Sequence, residues 1–114
     1  MKGVWFSTRI RFAIVIETKG LVRYSDSVYL FRSENFDTAF QSALDAGRKN
    51  ERAYVNGEGQ RVFWKTAEVV SLDIIQAKSL EGAEVYSEPV AASDPSIAVD
   101  HKFSPESSKP TQTI

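Results

Sequence analysis

The sequence predicts an α+β domain in the order β-β-α-β-β-β, a mostly antiparallel sheet with one helix packed on one face. Three observations carry this. Apolar residues alternate with period two from Val4 to Glu17 and again from Gln60 to Asp73, the spacing of strands with one buried face. Between them Phe36, Ala39, Phe40, Ala43, Leu44 and Gly47 follow the i, i+3, i+4, i+7 spacing of an amphipathic helix. Turn-forming residues at Thr18-Lys19-Gly20 and Asn56-Gly57-Glu58-Gly59 separate neighbouring strands closely enough for antiparallel pairing.

The first strand puts Phe6, Thr8, Ile10, Phe12, Ile14 and Ile16 on one face and Trp5, Ser7, Arg9, Arg11, Ala13 and Val15 on the other. At ~3.3 Å per residue it would reach roughly 45 Å, beyond a compact small domain, so a bend or a projecting hairpin is expected. Gly20 supplies the positive φ of the turn. The second strand runs from about Leu21 to Arg32, and Ser25-Asp26-Ser27 is where it would break. In the helix, Asn35 or Ser33 can cap the first turn. Asp37 suits the positive end of the helix dipole and Arg48 and Lys49 the negative end. Gly47 is either a C-terminal stop or a point where helix and sheet approach closely.

Ala53-Tyr54-Val55 is a short third strand. In the fourth, alternation places Val62, Trp64, Thr66, Glu68, Val70 and Leu72 on a common face. Ala83 to Ser87 is expected as a fifth strand, ended by Pro89. Residues 1–89 therefore form one domain. From 90 to 114 the chain becomes a polar, Pro/Ser-rich segment with too little apolar surface to offset ordering entropy, expected to be a flexible tail. Ile97, Val99 and Phe103 are its apolar anchors, and an ordered tail would use them to hold the domain or a neighbouring chain.

At 114 residues with 42% apolar composition, the chain can hold a core without staples. The absence of cysteine excludes a disulfide scaffold and thiol catalysis and fits a reducing compartment, so the cytoplasm is expected. Lys and Arg number 14 against 15 Asp and Glu, with no polybasic run to drive duplex binding by counterion release. The opening Met1-Lys2-Gly3-Val4-Trp5-Phe6 is interrupted by Arg9 and Arg11 before a leader's apolar stretch accumulates, and Phe12 to Ile16 is too short to span a membrane; a soluble protein is expected.

Trp5-Phe6-Ser7 leading into a strand, the helix with Ala39 and Ala43, the stretch Tyr54-Val55-Asn56 … Gly59 … Val62 … Trp64 and the closing Glu84-Val85-Tyr86-Ser87 resemble the small bacterial domain of unknown function DUF4288. The resemblance covers roughly residues 4–89 and none of the tail. It implies a bacterial or phage-like source and no particular activity.

Catalytic and metal chemistry find little footing. His101 sits in the tail with neither a fixed partner nor a walled pocket, and reads as a solvated histidine. One histidine and no cysteine leave no zinc ligand set, and the carboxylates show no D-x-D cluster, so neither metal nor cofactor is expected. Gly57-Glu58-Gly59 lacks the Lys-Ser/Thr of a phosphate loop and reads as a hairpin turn. Ser7 has no nucleophile-elbow context, and a structural hydroxyl is the default.

The most informative set is Trp5, Arg9 and Arg11 with Trp64 and Glu68. One helix covers only one face of a sheet, so these five can form an aromatic and cationic patch on the other. Equally, Trp5 and Trp64 can lie beneath the helix with the arginines at its rim, and the pattern leaves both readings open. Three functions are compatible with the set. The first is a non-catalytic protein-binding module, a homodimer or half of a small complex; an immunity or antitoxin-like partner protein is its nearest analogy. The second is a small-molecule-binding domain or minor enzyme with Arg9, Arg11, Glu68 and Tyr54 around an anionic ligand. The third is a single-stranded nucleic-acid binder that stacks bases on sheet aromatics; the charge balance and the lack of an RNP-type motif count against it.

Overall fold

The computed structural model describes residues 3–92, 97–106 and 110. Its elements are β1 (Val4–Ile16), β2 (Gly20–Ser33), α1 (Phe36–Lys49), β3 (Arg52–Val55) and β4 (Arg61–Ile74). The strands form one antiparallel sheet in the order β2-β1-β4-β3, so β1 is central and pairs along its length on both sides. The α+β class stands, with helix α1 on one face.

Local chemistry accounts for each element. Lys19 N–H donates to the Ile16 carbonyl and Gly20 takes φ +81°, closing the β1–β2 hairpin. Strand β2 runs unbroken through Ser25-Asp26-Ser27, because those residues keep their ladder pairing with β1. Asn35 is the N-cap: its side-chain oxygen accepts from Thr38 N–H at 2.8 Å, satisfying a donor the helix cannot. At the other end the Asn50 side-chain amide donates to the Ala46 carbonyl at 2.7 Å. In the β3–β4 turn the Asn56 side-chain oxygen accepts from Glu58 N–H and Gln60 N–H, and Gly59 adopts φ +78°.

The core lies between sheet and helix. Phe6, Ile10, Phe12 and Ile14 of β1 are almost wholly buried, with Val62, Ile75 and the helix's Ala39 and Ala43. Small residues on the inner face of α1 let its backbone lie close to the strands. Thr8 shares this apolar face, and its hydroxyl is satisfied by donating to the Ser71 carbonyl at 2.9 Å. The Phe6 and Phe31 rings stack at 6.3 Å, and Phe12 meets Trp64 at 6.0 Å in a tilted contact.

Two findings correct the expectations from sequence. The fifth strand is absent: Ala83 to Ser87 has no ladder and crosses the sheet as an irregular strap, held by side chains. Strand β4 does not alternate throughout. Its pairing with β1 shifts twice, so that Ala67 and Val70 are left without direct partners. Each bulge reverses the facing of the residues beyond it. In the tail, Ile97, Val99 and Phe103 are exposed and do not pack on the domain. Among the described residues no helix is long and apolar enough to cross a membrane.

Candidate functional site

The face of the sheet turned away from α1 is built from the odd residues of β1. Antiparallel partners share a face, so Trp5, Ser7, Arg9, Arg11 and Ala13 are joined there by Arg32, Leu30, Val28, Asp26 and Tyr24 of β2. From β4 come Glu68, Ser71 and Asp73.

The centre of this face is a carboxylate between two guanidinium groups. Asp26 accepts from Arg9 Nε at 2.6 Å, from Arg11 Nε at 2.8 Å and from Arg11 at a second nitrogen at 2.9 Å. Glu68 reaches Arg11 at 3.5 Å. Arg9 also donates to the Tyr86 hydroxyl of the strap, pairs with Glu88 at 3.2 Å and lies 5.2 Å from the Tyr86 ring centroid. Hydrogen bonding to Tyr86, then to Glu88, pushes the Arg9 pKa up, and bonding to Asp26 raises that of Arg11. Both side chains stay cationic throughout the physiological range. The strap is thus fastened across the open face by Arg9.

Asp26 is held below the usual carboxylate range, first by its hydrogen bonds from Arg11; burial opposes this, and Arg9 adds to the lowering. A depressed folded-state pKa adds stability that is complete above the unfolded value near 4 and lost as pH falls through the folded value. Glu51, whose carboxylate accepts from Thr66 N–H at 2.7 Å, is lowered for the same kind of reason and acts in the same direction. Asp26→Asn is therefore expected to lower stability at pH 7 by about 1–2 kcal/mol, a figure reduced for partial solvent screening. It should also flatten the fall of melting temperature below pH 4, leaving the Glu51 part. Parallel wild-type and variant curves from pH 7 to 2.5 would remove Asp26 from this role.

Of the five residues singled out from the sequence, the structure brings Trp5, Arg9, Arg11 and Glu68 to the open face and places Trp64 on the other. Trp5 lies beneath the Arg32 guanidinium at 5.7 Å. Trp64 packs against Phe12 on the helix side, stacks under Arg52 at 4.0 Å and donates its indole N–H to the Tyr54 hydroxyl at 3.2 Å. The Ala67 bulge separates Trp64 from Glu68. Tyr54 therefore sits across the sheet from the two arginines, and the four-residue site for an anionic ligand does not assemble. Ser7 proves buried. Asp26, Tyr86 and Glu88 were missed in the sequence. A hairpin count from the Gly20 turn could have found Asp26, but the irregularity at Ile14/Val15 shifts that count by one.

A family model described as a domain of unknown function, DUF4288, matches residues 5–87. Comparison with curated proteins and with solved structures returned no match.

Proposed function

We propose, from the premise that this chain belongs to the DUF4288 family, that it is a non-catalytic protein-binding module joined through the outer edge of β2 to a second copy of itself. The observation that carries this is the order of residues on the open face of that edge: Asp26, Val28, Leu30, Arg32. The order is acid, apolar, apolar, base. Paired antiparallel with its own copy about Tyr29, it sets each Val28 against a Leu30 and each Asp26 against an Arg32, twice by symmetry.

Four further features support the reading. Strand β2 ends the sheet, with no strand on its outer side among the described residues. Such an edge offers a row of backbone donors and acceptors to another strand. Tyr24, Val28 and Leu30 are all exposed along it, an apolar row that solvent does not favour. Beside it on the helix side runs a groove of about 500 Å³ lined by Tyr29, Phe31, Ala46 and Lys49. The symmetric pairing would place the partner's Tyr29 and the partner's Ser27 along that groove. Arg32 has no carboxylate partner among the described residues, its contact being the Trp5 ring. The nucleic-acid reading is weaker, because Arg9 and Arg11 are already neutralised by carboxylates.

Sedimentation of the purified chain tests this. The wild type is expected to run as a dimer at micromolar concentration and Val28→Lys as a folded monomer. Arg32→Glu should weaken association by removing the cation that would face the partner's Asp26, a carboxylate whose own Arg9 and Arg11 already bracket it. A wild-type monomer, or a dimer indifferent to Val28→Lys, rejects the reading.

A further inference from the structure

Between the strap and the ends of β1 and β4 lies a cavity of about 460 Å³. This is within the range of small-molecule sites, about 300–1,000 Å³. Its polar lining comes from Ser7, Asp73, Gln76, Glu84 and Tyr86, and Ile75 gives it an apolar wall. It lies apart from the edge of β2 and does not depend on dimerisation.

Two properties of the lining define what would fit. Ser7 is only 3% exposed, faces this cavity and has no hydrogen-bond partner for its hydroxyl among the described residues. Its hydroxyl oxygen opens onto the cavity, where a bound molecule or water can partner it. The carboxylates of Asp73 and Glu84 also lack any ion pair among the described residues, and no Lys or Arg lines the cavity. The site is therefore anionic and unneutralised. An anionic ligand would be repelled. A neutral polyol would leave both carboxylates without a counter-charge. A metal ion is poorly served, since no group of three or more His, Cys, Asp or Glu side chains is placed to hold one among the described residues.

We propose that this cavity binds a small organic cation with two ammonium groups on a short methylene chain. One ammonium pairs with Asp73 and the Ser7 hydroxyl oxygen, and the other with Glu84. The methylenes lie on Ile75 and Val85, which matches the mixed lining. The strap supplies Glu84, Val85 and Tyr86, so the Arg9 contacts that fasten it also complete the site.

Calorimetric titration of the full chain with 1,4-diaminobutane in 0.15 M salt tests the proposal. Saturable one-to-one binding is expected, with 1,4-butanediol and succinate at least tenfold weaker. Asp73→Asn and Glu84→Gln should each weaken the diamine about tenfold, the loss of one charge-assisted contact. Glu58→Gln, a surface carboxylate remote from the cavity, should change nothing, and matched melting temperatures would show that the variants fold. Absence of saturable binding overturns the proposal. So does a diol that binds as well as the diamine, or an affinity that Glu58→Gln lowers as much as Glu84→Gln, which would mean general surface charge.

Discussion

Phe12→Ala is expected to destabilise the protein by about 3–5 kcal/mol, the largest loss any single truncation here should produce. Phe12 is 1% exposed at the middle of the central strand, flanked by β2 and β4 and in contact with the Trp64 ring. The neighbours are strand residues fixed by ladders on both sides, so they cannot collapse into the space. Domains of this size are stable by only about 5–15 kcal/mol, so the variant should unfold at markedly lower urea, measurable as a shift in midpoint at unchanged slope. Phe40→Ala provides the contrast. The sequence period places Phe40 on the inner stripe of the helix, yet it is 39% exposed, and its truncation should cost about 1–2 kcal/mol, well below Phe12. Equal losses at the two positions would mean that α1 lies on the sheet in a different rotation.

That contrast shows where the pattern was legible. The alternation of β1 was read correctly because a central strand, paired on both sides, must keep one apolar face turned to the helix. Its inner residues Phe6, Ile10, Phe12 and Ile14 are the core. The helix was legible for a similar reason: its cap, its charged ends and its small inner residues are all local signals. Strand β4 was legible in extent and illegible in facing. Beyond Trp64 it has no pairing with β3, so its outer side is free to absorb extra residues, and it does so at Ala67 and Val70. No local signal marks those bulges, since Ala and Val sit comfortably in regular strands.

The candidate site failed in the same physical way. Arg9 and Arg11 were found because they share a strand, but the groups that restrain them come from elsewhere in the chain. Asp26 arrives by a register that one irregularity shifts, and Tyr86 and Glu88 by a strap that lacks a ladder. The expected fifth strand had the right composition in Val85 and Tyr86. Those residues serve the open face through side chains instead of backbone, which periodicity does not encode. The same strap walls the cavity at Ser7, so part of the polar face depends on a segment fastened to the sheet by side chains.

At Gly47 the helix lies directly against the sheet, and enlarging it should have the second largest effect. A Cβ built there would stand 2.9 Å from Thr66 Cγ2 and 3.1 Å from its Oγ1. Gly47→Val adds three carbons against a β-branched side chain on a paired strand, so the C-terminal turn of α1 must lift. A loss of about 3 kcal/mol is expected, at the upper end for overpacking. Gly47→Ala is more diagnostic. It gains about 1 kcal/mol of helix propensity and meets the Thr66 side chain, so the net should be mildly destabilising. Thr66→Ala removes both contacting atoms, including a buried hydroxyl with no partner. In that background Gly47→Ala should turn stabilising by about 1 kcal/mol, since only the propensity gain remains. Measured by urea unfolding, the sign of the Gly47→Ala effect is expected to reverse between the two backgrounds. The same sign in both would mean that helix and sheet are not in contact here, and that the small-residue face of α1 serves some other end.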